Sequence, residues 1–116
     1  MTAPRPWPTE IRIRAGRRSL QVVFDSGETY EIPAELLRVM TPAADERGHG
    51  GPAALTPLPI DKRGVALAEA TPVGRYAVRL AFDDGHDTGL YTWDALHRLG
   101  RDRARLEAEH AKLLGR

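Results

Sequence analysis

The sequence predicts an α+β fold: small antiparallel sheets from two related strand-turn-strand-helix units, followed by a C-terminal helix. Three observations lead there. The segment Phe24-Asp25-Ser26-Gly27 recurs as Phe82-Asp83-Asp84-Gly85, and each copy is preceded by a run of strand formers, Leu20 to Phe24 and Tyr76 to Phe82. Apolar residues alternate with polar ones before and after both turns, the period of a half-buried strand. Each copy then runs into helix-start chemistry, Pro33-Ala34-Glu35 in one and Thr92-Trp93-Asp94 in the other. With 116 residues, about the size of one domain, the two units are expected to share a single core.

Residues 1–8 hold three prolines and read as an irregular lead-in, because proline cannot donate to a sheet ladder and restrains its predecessor. The domain proper is expected over 9–100. Ile11 and Ile13 alternate with charged residues, Gly16-Arg17-Arg18 supplies a turn, and Leu20 to Phe24 returns antiparallel. Asp25-Ser26-Gly27-Glu28 is the next turn, and Thr29 to Ile32 completes a three-stranded meander. Pro33 suits the first helical position and Glu35 the first turn, where the helix dipole favours an anion; this short helix stops before Pro42.

Residues 41–54, with two prolines, three glycines and no periodicity, read as a long loop, a kind that is often functional. Strands are expected at Leu58 to Asp61 and Val65 to Ala70 around Lys62-Arg63-Gly64. Another is expected at Tyr76 to Phe82, with Tyr76, Val78, Leu80 and Phe82 on one face. Beyond the Asp83 to Gly89 turn, Leu90 and Tyr91 return as a strand, Thr92 caps a helix starting at Trp93, and Gly100 ends it. Residues 101–116 form the C-terminal helix, with Asp102 as N-cap and Leu106, His110, Leu113 and Leu114 on one stripe. In the duplication, Leu36-Leu37-Arg38 aligns with Leu96-His97-Arg98 after a slip of about two residues.

Composition narrows the function. The formal net charge of +1 gives no field to attract a polyanion, so nucleic acid is not an expected partner. The absence of cysteine excludes disulfides, thiolate metal sites and a cysteine nucleophile. No window approaches the roughly 18 apolar residues of a membrane span, and the first residues lack the apolar core of a signal peptide. A cytoplasmic protein with no membrane partner is the resulting expectation.

The second turn gathers what chemistry there is. His86 stands between Asp83, Asp84 and Asp87, so an imidazole and carboxylates could converge on a divalent metal, iron or zinc. His49 and Glu46, in the glycine-rich loop, would add to such a site if that loop folded over the turn. The other reading is a hairpin whose aspartates bond local amides while His86 points to water. Tyr91, Trp93 and Tyr76 are read either as an aromatic surface at this end or as core. Arg12, Arg14, Arg17 and Arg18 cluster in the first hairpin, fit to meet an acidic surface or to protect a solvated edge. His97 and His110 are read as packing or surface residues. There is no nucleophile elbow, phosphate loop or His-Glu-x-x-His, so catalysis by this chain is not expected.

Ile32-Pro33-Ala34-Glu35-Leu36-Leu37-Arg38-Val39, Pro72-Val73-Gly74-Arg75-Tyr76-Ala77-Val78 and Phe82-Asp83-Asp84-Gly85-His86-Asp87-Thr88-Gly89-Leu90-Tyr91 together resemble the gamma-butyrobetaine hydroxylase-like N-terminal domain family, a family largely of unknown function in bacteria. The similarity runs from about Ile11 to Gly100. It implies a small α+β domain. In the hydroxylases of carnitine synthesis a similar domain precedes an iron- and 2-oxoglutarate-dependent catalytic domain and binds zinc through three cysteines and a histidine. His86 matches that histidine, whereas the cysteine region corresponds to Thr41, Ala43 and Glu46, so the zinc site does not carry over. Similar domains are joined to P-loop proteins that handle iron-sulfur clusters.

Together these readings give a non-catalytic interaction or accessory module linked to iron or iron-sulfur metabolism. Its contact surface is expected at Asp84, His86, Asp87 and Tyr91, and its partner is a P-loop iron-sulfur carrier or an oxygenase. The alternatives are a metal-binding protein using His86, His49 and Glu46, and a non-catalytic subunit of an oxygenase.

Overall fold

The computed structural model describes residues 7–40, 57–87 and 89–115, and these form two three-stranded antiparallel sheets, three α-helices and a short 3-10 turn at Ala15–Arg17. The first sheet contains β1 (Pro8–Ile13), β2 (Ser19–Phe24) and β3 (Thr29–Pro33), followed by helix α1 (Ala34–Val39). The second contains β4 (Leu67–Val73), β5 (Ala77–Phe82) and β6 (Gly89–Thr92), followed by α2 (Trp93–Arg101). Helix α3 (Arg103–Leu114) closes the chain. The loop expected at 41–54 lies outside the described residues.

The duplication extends to individual bonds. Phe24 N–H donates to Glu28 O and Phe82 N–H to His86 O, both at 2.8 Å; Gly27 N–H and Gly85 N–H return to the Phe24 and Phe82 carbonyls. Asp25 N–H reaches Trp7 O at 2.8 Å as Asp83 N–H reaches Ala66 O at 2.9 Å. Each first strand carries its irregularity at the matching place, between Pro8 and Glu10 and between Leu67 and Glu69. Gly27 and Gly85 sit at φ 93° and 91°, left-handed backbone that favours glycine in both turns. Because Ile32 faces Leu20 and Tyr91 faces Val78, the helices align with a slip of one residue rather than about two: Leu37-Arg38 matches Leu96-His97.

Both units contribute to one core. Leu20, Val22, Phe24 and Ile32 of the first sheet pack in the same cluster as Val78, Leu80, Phe82 and Tyr91 of the second, with Leu37 and Leu96 from the helices. The α1 carbonyls left open at its C-terminus find partners outside it. Leu37 O accepts from the Tyr91 hydroxyl, and Val39 O from Leu58 N–H at 2.9 Å. The sheets are tied by Arg17, whose guanidinium donates to Leu67 O and Ala68 O at 3.3 and 2.8 Å.

Several expectations are corrected. Leu58 to Asp61 is not a strand: Pro57 and Pro59 deprive it of ladder donors, and its amides bond to Val39 O and Leu58 O instead. β1 begins at Pro8, inside the expected lead-in, because proline's missing N–H is tolerated at a strand's first residue. Tyr76 lies in the turn before β5 and is 71% exposed. Thr92 does cap α2, accepting from Ala95 N–H at 3.1 Å, but Asp102 makes no cap bond with its side chain, which pairs with Arg101 and Arg105. The α3 stripe is buried at Leu106 and His110 only, with Leu113 exposed.

Gly100 does not end α2; it lies within the helix, where a Cβ would stand 2.4 Å from the Tyr30 ring. Glycine is required there for close approach, not for its φ. Gly100→Ala should therefore destabilise the protein by about 1–3 kcal/mol, although alanine is the better helix former by about 1 kcal/mol. Urea denaturation checks this, with Gly100→Ala in a Tyr30→Gly background as control, where the loss should shrink because both the ring and the Tyr30 Cβ, 2.5 Å from the added methyl, are gone.

Candidate functional site

The turn after β5 is built by its own aspartates. Asp84 Oδ1 accepts from His86 N–H at 3.0 Å, the local satisfaction of an amide expected for this residue type in a turn, whereas Asp83 Oδ1 accepts at 3.0 Å from Ala66 N–H, 17 residues earlier in the chain. Asp84 then reaches outside its unit. Its Oδ2 lies 2.9 Å from both Arg38 Nε, on α1, and Lys62 Nζ, and its side chain is only 21% exposed. Burial pushes its carboxyl up, but the Lys62, His86 N–H and Arg38 donors outweigh it and hold Asp84 at about 2. Asp84 thus joins the two units, a role the turn itself did not announce.

The matching contact runs the other way. His97 of α2 places Nε2 3.0 Å from Glu28 Oε1 in the first unit's turn, with its ring edge-on to Phe24 and Tyr30 at 5.1 and 5.7 Å. Hydrogen bonds from Tyr30, Ser26 and His97 hold the Glu28 carboxyl at about 2, and the bond to Glu28 raises the Tyr30 hydroxyl. Arg38 and His97 occupy equivalent helix positions, so each helix grips the turn of the opposite unit.

Of the expected site residues, Asp84, His86 and Asp87 share the turn, with Asp84 on the His86 amide. His86 is half-buried with its ring 6.1 Å from that of Phe82, and Asp87 is exposed. Tyr91, expected at the contact surface, is a core residue: it faces inward opposite Val78, is fully buried and spends its hydroxyl on α1. His49 and Glu46 lie outside the described residues, among which no three metal-ligating side chains cluster. The aromatic trio divides: Tyr91 is core, Trp93 packs against it with Nε1–H on Arg75 O at 2.7 Å, and Tyr76 is exposed. His110 is buried, its Nε2 2.7 Å from Ile60 O, beside a cleft of about 110 Å³ lined by Pro33, Glu35, Leu36 and Glu107.

The duplication exposes a surface that the motifs did not. Side chains facing away from the core form a row Arg12–Gln21–Glu31 across the first sheet; the equivalent row of the second is Thr71–Arg79–Leu90. One row beyond, Val73 stands where the first sheet has Arg14. Val73 and Leu90 are 40% and 44% exposed, and Tyr76 adjoins them in the turn. Arg12, Arg14 and Glu31 of the first unit are thus matched by uncharged Thr71, Val73 and Leu90, while Arg79 stands where the first unit has Gln21. The signal was present in the alternation of β5 and β6, but only the strand register identifies which residues share a row.

The gamma-butyrobetaine hydroxylase-like, N-terminal family model matches residues 11–97. The chain is similar to a protein of unknown function of the DUF971 family from Acidithiobacillus ferrooxidans, solved by crystallography. Identity is 37% and the TM-score 0.68, over 85% of this chain and 98% of that one. Two proteins solved by NMR in solution are 38% and 36% identical, with TM-scores of 0.77 and 0.76, over 99% and 97% of this chain and 86% of each of theirs. No match was found among curated proteins.

The inter-unit role of Asp84 can be measured. Its folded-state titration at about 2 lies below the ordinary 3.8, so it adds stability that is complete above the unfolded value and is lost as the pH falls through about 2. Asp84→Asn, which keeps an acceptor for His86 N–H, should lower the unfolding free energy by on the order of 2 kcal/mol at pH 7. Urea denaturation from pH 7 to pH 2 should find the difference narrowing below pH 4; a difference independent of pH would assign Asp84 no electrostatic role.

Proposed function

The chain belongs to the gamma-butyrobetaine hydroxylase-like, N-terminal family, and on that premise we propose that it is a non-catalytic interaction module, a cytoplasmic accessory that docks on a protein of iron or iron-sulfur metabolism. The observation that carries this reading is the outer face of the second sheet, where Leu90 and Val73 stand exposed beside Arg79 at positions whose equivalents in the first unit, Glu31 and Arg14, are charged. A duplicated unit has no packing reason to exchange a charged outward residue for leucine, since that side chain contributes nothing to the core. A partner supplies the reason. The resemblance described above supplies the partner class, since similar domains accompany a catalytic oxygenase domain or a P-loop iron-sulfur carrier.

This reading moves the contact surface from the Asp84–His86 turn, which holds the units together, to the outer face of the second sheet. Asp87, exposed at the end of that turn, remains available at its border.

Calorimetric titration of the protein against a P-loop iron-sulfur carrier and an oxygenase encoded in the same genome tests the proposal. Binding to one of them is expected, weakened by about tenfold or more in a Val73→Glu/Leu90→Glu variant, while the melting temperature changes little because both positions are exposed. Equal affinity of the variant, or binding to neither class, would contradict it.

A further inference from the structure

We infer that the outer face of the second sheet recognises an acidic segment presenting an apolar side chain. This rests on the interaction reading above and names the chemistry of the partner.

Arg79 lies at the centre of the face, and its direct cross-strand neighbours are Thr71 and Leu90, neither able to accept a salt bridge. In the equivalent row Arg12 pairs with Glu10 at 2.8 Å, and Glu31 accepts from Ser19. Arg75, in the turn between Val73 and Tyr76, likewise makes no ion pair among the described residues. A guanidinium carries five N–H donors in a planar fork suited to a carboxylate, so an acidic residue is the group that complements this face, and a basic segment is repelled. Glu69 stands opposite Ala81, one row beyond Arg79 and on the far side from Val73. It sets a direction: the acidic part of the segment lies toward Arg75 and Arg79, away from Glu69.

Arginine and tyrosine are the side chains that concentrate binding energy at interfaces; here Arg79 stands opposite Leu90, and Tyr76 is exposed in the turn that follows Val73. Three strands spaced by about 4.8 Å, over five or six residues, offer roughly 300 Å². Stable partners each bury about 800 Å². The face therefore suits a short segment bound transiently and is too small for a lasting pair of copies of this chain.

The test uses the ¹⁵N-labelled protein and two soluble twelve-residue peptides, one with three leucines set among glutamates, the other its lysine-for-glutamate counterpart. The glutamate peptide should shift the amides of 73–79 and 89–92, and the lysine peptide should not. Arg75→Glu/Arg79→Glu should weaken the glutamate peptide by about tenfold and allow the lysine peptide to bind; a dispersed amide spectrum confirms that the variant is folded. Equal shifts at this face by both peptides would overturn the acidic chemistry while leaving an interaction face in place. Absence of shifts up to millimolar peptide, or shifts elsewhere, would overturn the inference and take the face from the interaction reading as well. Shifts of the same amides with protein concentration alone would replace the segment with a second copy.

Discussion

Neither half of this protein can finish its own core, and the rest of the structure follows from that constraint. Each three-stranded sheet has one apolar face, and the short helix that follows it, while packing on its own sheet, also reaches into the other half. Arg38 of α1 crosses to Asp84 in the second turn, and His97 of α2 crosses to Glu28 in the first. The exchange places the Leu37 carbonyl against the Tyr91 hydroxyl and presses Gly100 against the Tyr30 ring. These polar contacts sit at the edge of the shared core, partly shielded from water, where an ion pair is worth more than on an open surface but less than its desolvation would remove in a dry interior.

The same constraint decides where function can reside. A turn whose carboxylate is committed to an arginine and a lysine from elsewhere in the fold is poorly placed to serve as a versatile contact, however rich in histidine and aspartate its sequence is. The outward faces of the sheets carry no such obligation. One of them carries leucine and valine beside an arginine where its twin carries charge, and duplication makes the difference visible because the two units can be compared position by position.

Much of the architecture was legible because it is local. Alternation marked β2 and β5, Thr92 announced the start of α2, and Phe-Asp-x-Gly marked both turns along with the glycines they require. What failed was set by distant contacts. Residues 58–61 have strand-like side chains, but flanking prolines remove their donors. Gly100 looks like a helix stop until Tyr30 arrives from 70 positions earlier in the chain. Tyr91, read in its strand as either contact surface or core, is decided by its register opposite Val78, which turns it inward. The pairing of Arg38 with Asp84 and of His97 with Glu28 could not be read from spacing, because it depends on how two halves of similar sequence pack against each other.

Native-state hydrogen exchange on the protein and a His97→Leu variant, which keeps bulk on α2 but removes the bond to Glu28, tests the interdependence of the halves most directly. If the halves share one cooperative core, the slowest amides of β2, such as Val22, and of β5, such as Leu80, lose protection by the same factor. Loss confined to the first sheet and α2, with β5 as protected as before, would contradict the account.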